Sequence, residues 1–126
     1  MAGEKILIID DDEGILEALE MVLTDAGYEV STLTKDEEAL RQQLQKSLPD
    51  LIILDVFLSG ADGREISTKL KNQNRTRNIP IIMISAHPTA QKSIREAGAD
   101  DFIPKPFDID TLLSKVSYMF TRQARK

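Results

Sequence analysis

Residues 51–54 read Leu-Ile-Ile-Leu and run straight into Asp55. Apolar side chains at successive positions, with no polar alternation, fit a strand covered on both faces. The run Ile79–Ile84 has the same character, with Ile-Ile-Met-Ile at 81–84, and so has Lys5–Ile9, with Ile-Leu-Ile-Ile at 6–9. Strands of this kind belong to parallel sheets held between helix layers, because parallel neighbours need long crossovers and helices supply them.

Two more strand-like runs flank these, Tyr28–Leu33 and Asp101–Ile103. The segments between carry helical spacing. Ile15, Leu16, Leu19, Val22 and Leu23 recur at one helix face and end at Ala26-Gly27. Thr34-Lys-Asp-Glu37 reads as a capping box for a helix that stops before Pro49. Asp62-Gly-Arg-Glu65 opens another, to about Gln73. Thr89–Ala97 forms a short one closed by Gly98 in a left-handed conformation. Asp108 caps the last, through about Phe120. Strand then helix, five times over, predicts an open, doubly wound α/β sheet with right-handed crossovers.

The chain has 126 residues, 41% hydrophobic and 29% charged, which suits one domain with a real core. No apolar run nears the ~20 residues that span a bilayer. No basic-then-apolar signal segment opens the chain, so a cytoplasmic location is expected and membrane association is not. Cysteine is absent and His87 is the single histidine. Disulfide scaffolds, thiolate zinc sites, cysteine nucleophiles and multi-histidine metal sites are therefore excluded. Sixteen basic residues against 21 acidic leave a net charge of −5, a poor surface for nucleic acid. The basic residues of Arg122–Lys126 read as a solvated helix end or the start of a linker. Neither a Gly-x-Gly-x-x-Gly nor a P-loop pattern occurs.

In doubly wound sheets ligands bind beyond the carboxyl ends of the strands. The first strand here runs into Asp10-Asp11-Asp12-Glu13, the third into Asp55, the fourth into Ser85 and the fifth into Pro104-Lys105-Pro106. Taken singly each is ordinary: an Asp after a strand usually caps a helix, and Asp12 has the position of an N-cap. Together they place several carboxylates, a hydroxyl and an ammonium on one edge. Crowded carboxylates repel, and a hard divalent cation relieves them; oxygen-only ligands suit Mg²⁺. Such a metal wants an anion opposite, usually phosphate. Lys105 and Ser85 can then bind phosphoryl oxygens while Asp55 attacks phosphorus to form an acyl phosphate.

The segments KILIIDDDEGI (5–15), PDLIILDVFLSGADG (49–63), IPIIMISAH (79–87) and GADDFIPKPF (98–107) resemble the receiver domains of two-component response regulators, over essentially the whole chain. The resemblance implies a flavodoxin-like sheet of five parallel strands in order 2-1-3-4-5, with residues 1–126 forming a single receiver domain and 121–126 the possible start of a linker to an effector domain. It implies that Asp55 is the phosphoacceptor and that Asp10 and Asp11 serve Mg²⁺, Asp11 directly. Asp55 itself and the backbone carbonyl of Phe57 would complete the protein's metal ligands. Ser85 and Lys105 would bind the phosphoryl group, the Lys105–Pro106 peptide would be cis, and Ser85 with Phe102 would form the switch. Phe57 and His87, two residues beyond the acceptor and the hydroxyl, would border the approach of hydrolytic water and set the phosphoryl lifetime. The implied partners are a sensor histidine kinase or histidine phosphotransfer protein, with a phosphorylation-dependent homodimer as an option.

Two departures stand out. Leu58-Ser59 replaces the family's frequent Met-Pro, with Gly60 and Gly63 expected to give that loop flexibility, and Phe102 lacks the hydroxyl of the usual tyrosine. Two rival readings exist. A hydrolase of the haloacid dehalogenase type would use Asp10 in an Asp-x-Asp motif, but Gly14 stands where that pattern has threonine. A receiver-like scaffold that is never phosphorylated would not need all of these positions filled.

Overall fold

A computed structural model of the chain describes residues 3–34, 37–58, 60–86 and 91–124, with side chains through Thr121. Five strands, β1 (Lys5–Ile9), β2 (Glu29–Leu33), β3 (Leu51–Asp55), β4 (Ile81–Ser85) and β5 (Asp101–Pro104), form one parallel sheet in the order 2-1-3-4-5. The helices are α1 (Glu13–Asp25), α2 (Glu37–Lys46), α3 (Gly63–Lys71), α4 (Gln91–Glu96) and α5 (Ile109–Ala124). A two-residue ribbon, Phe57–Leu58 against Ala61–Asp62, lies between β3 and α3.

The uninterrupted apolar runs are explained by the two cores. Leu7, Ile9, Ile52, Leu54, Ile81 and Met83 pack on one sheet face against Leu40 and Leu44 of α2, Ile66 and Leu70 of α3 and Ile94 of α4. The residues between them, Ile6, Ile8, Leu51, Ile53, Ile82 and Ile84, pack on the other against Leu16, Leu19 and Leu23 of α1 and Leu112, Val116 and Met119 of α5. Successive side chains of a strand point to opposite faces, so a strand with helices on both sides has no position left for a polar residue. Each such fully buried side chain stabilises the fold by about 1.5–3 kcal/mol relative to exposure.

The predicted caps hold where they can be seen. Asp12 accepts from the N–H groups of Gly14 and Ile15, Asp62 from Arg64, and Asp108 from Asp110 and Thr111. Gly98 has φ +88°, the left-handed conformation expected of it. Part of the box at Thr34–Glu37 and the start predicted at Thr89 lie outside the described residues. Two details differ. α5 does not stop near Phe120 but continues to Ala124, since nothing in 121–124 breaks a helix. Gly63 serves close packing rather than flexibility: a Cβ there would lie 2.1 Å from the Asp55 carbonyl oxygen.

Candidate functional site

The register brings the predicted residues together. Ile9 pairs with Leu54, so the residues that follow, Asp10 and Asp55, are neighbours; Asp55 pairs with Ile84, next to Ser85, and Ser85 pairs with Pro104, next to Lys105. Backbone bonds close these ends: Asp10 N–H donates to Leu33, Val56 N–H to Ile84 and Lys105 N–H to Ser85. The Lys105–Pro106 peptide is cis, as the resemblance implied.

Asp10 and Asp55 are 1% and 7% exposed, Ser85 1%. The Lys105 ammonium lies between the two carboxylates, 3.3 Å from each. Asp10 also accepts from the N–H of Asp12, and the N–H of Phe57 donates to the Asp55 carboxylate. Half-buried Asp11 completes a triad: Asp10, Asp11 and Asp55 each bring an oxygen within 4.8 Å of the others. That is a donor set for a hard cation such as Mg²⁺, all oxygen and anionic. Asp12 takes no part, because its carboxylate caps α1, and this removes the Asp-x-Asp pair that a haloacid dehalogenase reading needs.

Burial raises the Asp55 pKa above the usual carboxylate range and the Asp10 charge raises it further, while Lys105 opposes both. The folded state therefore holds the Asp55 proton more tightly than the unfolded chain. As pH rises from the ordinary carboxylate range through the raised folded value, ionising Asp55 costs the native state stability. Without metal, Asp55→Asn should be more stable than the parent at neutral pH, the advantage shrinking as acid protonates the parent. Urea denaturation of both proteins across pH tests this; equal stability at every pH would refute it.

Phe57, 44% exposed, sits on the ribbon beside the acceptor position. The Arg64 guanidinium carbon lies 5.1 Å from the centre of its ring. Sequence reasoning did not single out Arg64, because spacing along the chain does not reveal a side chain that meets its partners only in the fold. Phe102 is partly buried against the core under α2, α3 and α4, and it shares a surface cavity with Ile94, Arg95, Ala99 and Lys115. Lys115 of α5 ties to Asp101 at 3.0 Å, next to Phe102. His87 lies outside the described residues.

Residues 6–117 match the family model of the response regulator receiver domain. The chain is 38% identical over 125 residues to the DNA-binding dual master transcriptional regulator RpaA of Synechocystis sp., covering 96% of this chain and 51% of RpaA. It thus spans about half the length of the curated relatives it matches first. The receiver domain of a signal transduction histidine kinase from Syntrophus aciditrophicus superimposes with a TM-score of 0.88 at 34% identity, covering 98% of this chain and 95% of that one. TrrA of Thermotoga maritima, solved in complex with Mg²⁺-BeF, superimposes with a TM-score of 0.82 at 30% identity, over 92% and 98% of the two chains.

Proposed function

The chain belongs to the response regulator receiver family, and from that premise we propose that it is a phosphoacceptor switch in which Asp55 takes a phosphoryl group from the phosphohistidine of a sensor histidine kinase or phosphotransfer protein. The observation that carries this reading is the Lys105 ammonium held between Asp10 and Asp55, with Asp11 completing a metal-sized triad. Asp10, Asp11, Asp55 and the Phe57 carbonyl would hold Mg²⁺, which supplies positive charge opposite the phosphoryl oxygens. An Asp55 carboxylate oxygen attacks phosphorus, the imidazole nitrogen leaves with the bonding pair, and an acyl phosphate results. Lys105 and the Ser85 hydroxyl bind phosphoryl oxygens. The domain catalyses its own phosphorylation and dephosphorylation and turns over no separate substrate.

The new charge draws Ser85 inward, and Phe102 turns into the vacated space. The face of α4, β5 and α5 then presents a different surface to a partner, an effector region or a second copy of the chain. Residues 1–126 act as one receiver domain, located in the cytoplasm. A net charge of −5 argues against this domain binding nucleic acid itself. Among the described residues no helix is long and apolar enough to cross a membrane.

Beryllofluoride with Mg²⁺, a phosphoryl mimic, tests the switch. Amide resonances of Phe102 and of α4 and α5 should move together with those of the acceptor loop. Shifts confined to the loops around Asp10, Asp55 and Lys105 would refute the coupling.

A further inference from the structure

Arg64 stands on the first turn of α3 and joins three parts of the molecule. Its Nε and Nη2 donate to Asp62 at 2.9 and 2.6 Å, and Asp62 is both the cap of α3 and the ribbon partner of Phe57. Its guanidinium lies over the Phe57 ring. Its Nη1 donates to Ser93 Oγ of α4 at 2.9 Å, across 29 residues of sequence. A guanidinium does this where an ammonium would not, because it is planar, forks toward a carboxylate and stacks on a ring at once. The hydrogen bonds from Arg64 hold the Asp62 carboxyl below its ordinary value, so the pair stays ionised at neutral pH. The backbone N–H of Phe57 meanwhile donates to the Asp55 carboxylate. Phe57, two residues beyond the acceptor, therefore has its backbone held by the acceptor and its ring held by Arg64.

We propose that Arg64 is a positioning residue for the aspartyl phosphate, clamping the Phe57 ring beside Asp55 and anchoring the clamp to α4, so that it controls how readily water reaches phosphorus. This rests on the reading of Asp55 as the phosphoacceptor. In hydrolysis the water oxygen attacks phosphorus opposite the Asp55 oxygen. The phosphorus–oxygen bond to Asp55 breaks with its electron pair staying on the carboxylate, and the water's protons leave with inorganic phosphate. A ring held in place narrows that approach, and a ring released from Arg64 opens it. Because α4 belongs to the face that switches, Arg64 also links the lifetime of the phosphoryl group to the position of that helix.

The test uses the whole chain, loaded with acetyl phosphate and Mg²⁺ and freed of donor, with decay followed by intact mass. Arg64→Ala should lose the phosphoryl group roughly two- to fivefold faster than the parent, the range an exposed cation–ring contact supports. Phe57→Ala should also decay faster, and the double variant no faster than Phe57→Ala alone. The Phe57 ring proton resonances should shift in Arg64→Ala, which a purely structural effect elsewhere in α3 would not cause. Equal decay of parent and Arg64→Ala overturns the proposal, as does an undiminished acceleration by Arg64→Ala in the Phe57→Ala background. A parent that takes up no phosphoryl group at all would overturn the reading of Asp55, and the clamp's role with it, at a step that precedes any decay.

Discussion

Asp55→Asn should take up no phosphoryl group from acetyl phosphate and Mg²⁺, where the parent gains about 80 Da, the mass of one HPO₃. The loss is complete rather than graded because the amide oxygen that replaces the carboxylate is a poor nucleophile and forms no stable acyl phosphate. The carboxylates on either side of Asp11 are already engaged. Asp10 is deeply buried, accepts the N–H of Asp12 and contacts Lys105, while Asp12 is bound to the N–H groups of α1. Folding does not confuse the result. Replacing Asp55 removes a buried charge that the Asp10 carboxylate destabilises, so the variant should be folded and more stable than the parent at neutral pH. Intact mass spectrometry of both proteins decides it. Undiminished uptake by Asp55→Asn would move the nucleophile to another carboxylate and revive the phosphatase reading centred on Asp10.

The site was legible in the sequence to the extent that it depends on backbone topology. Once the apolar runs are read as strands of a parallel sheet, Asp10, Asp55, Ser85 and Lys105 must fall on one edge, and the registers put them there. Asp12 as a cap was legible because capping is local. What escaped depends on contacts across the fold. Gly63 is required because its Cα approaches the Asp55 carbonyl, and no pattern of spacing shows that approach. Arg64 reads as an ordinary charge in a helix's first turn; its meaning comes from Phe57 and from Ser93, 29 residues away. Lys71 likewise acts across the fold: its ammonium bonds Asp100 at 3.0 Å, and Asp100 in turn accepts the N–H of Ile81. That arrangement fixes the start of β4 against the end of α3, and only the folded chain reveals it. The end of α5 differs for another reason: the apolar stripe ends at Phe120, but nothing in 121–124 breaks a helix, so it runs on to Ala124.

Asp11→Ala should abolish Mg²⁺ binding at the site at millimolar metal, and Asp12→Ala should leave it nearly intact. The two carboxylates are adjacent in sequence and serve different ends. Asp12 Oδ1 accepts the N–H groups of Gly14 and Ile15 at 2.9 and 3.3 Å, so removing it leaves two donors at the start of α1 unsatisfied and costs about 1 kcal/mol of stability. Asp11 is a member of the triad with Asp10 and Asp55, and those other two both contact Lys105. Without it a divalent cation meets two carboxylates, one of whose charges Lys105 offsets, and the attraction left for the metal is much reduced. Amide shifts during a Mg²⁺ titration report binding directly. Stability gives a second readout: a cation that binds only the folded state stabilises it by RT ln(1 + [Mg²⁺]/Kd), about 2.7 kcal/mol at a hundredfold excess over Kd. The parent and Asp12→Ala should gain that increment from different baselines, and Asp11→Ala should gain none. Loss of metal in Asp12→Ala with normal binding by Asp11→Ala would show that the ligand lies one residue further along and that α1 is capped by some other group.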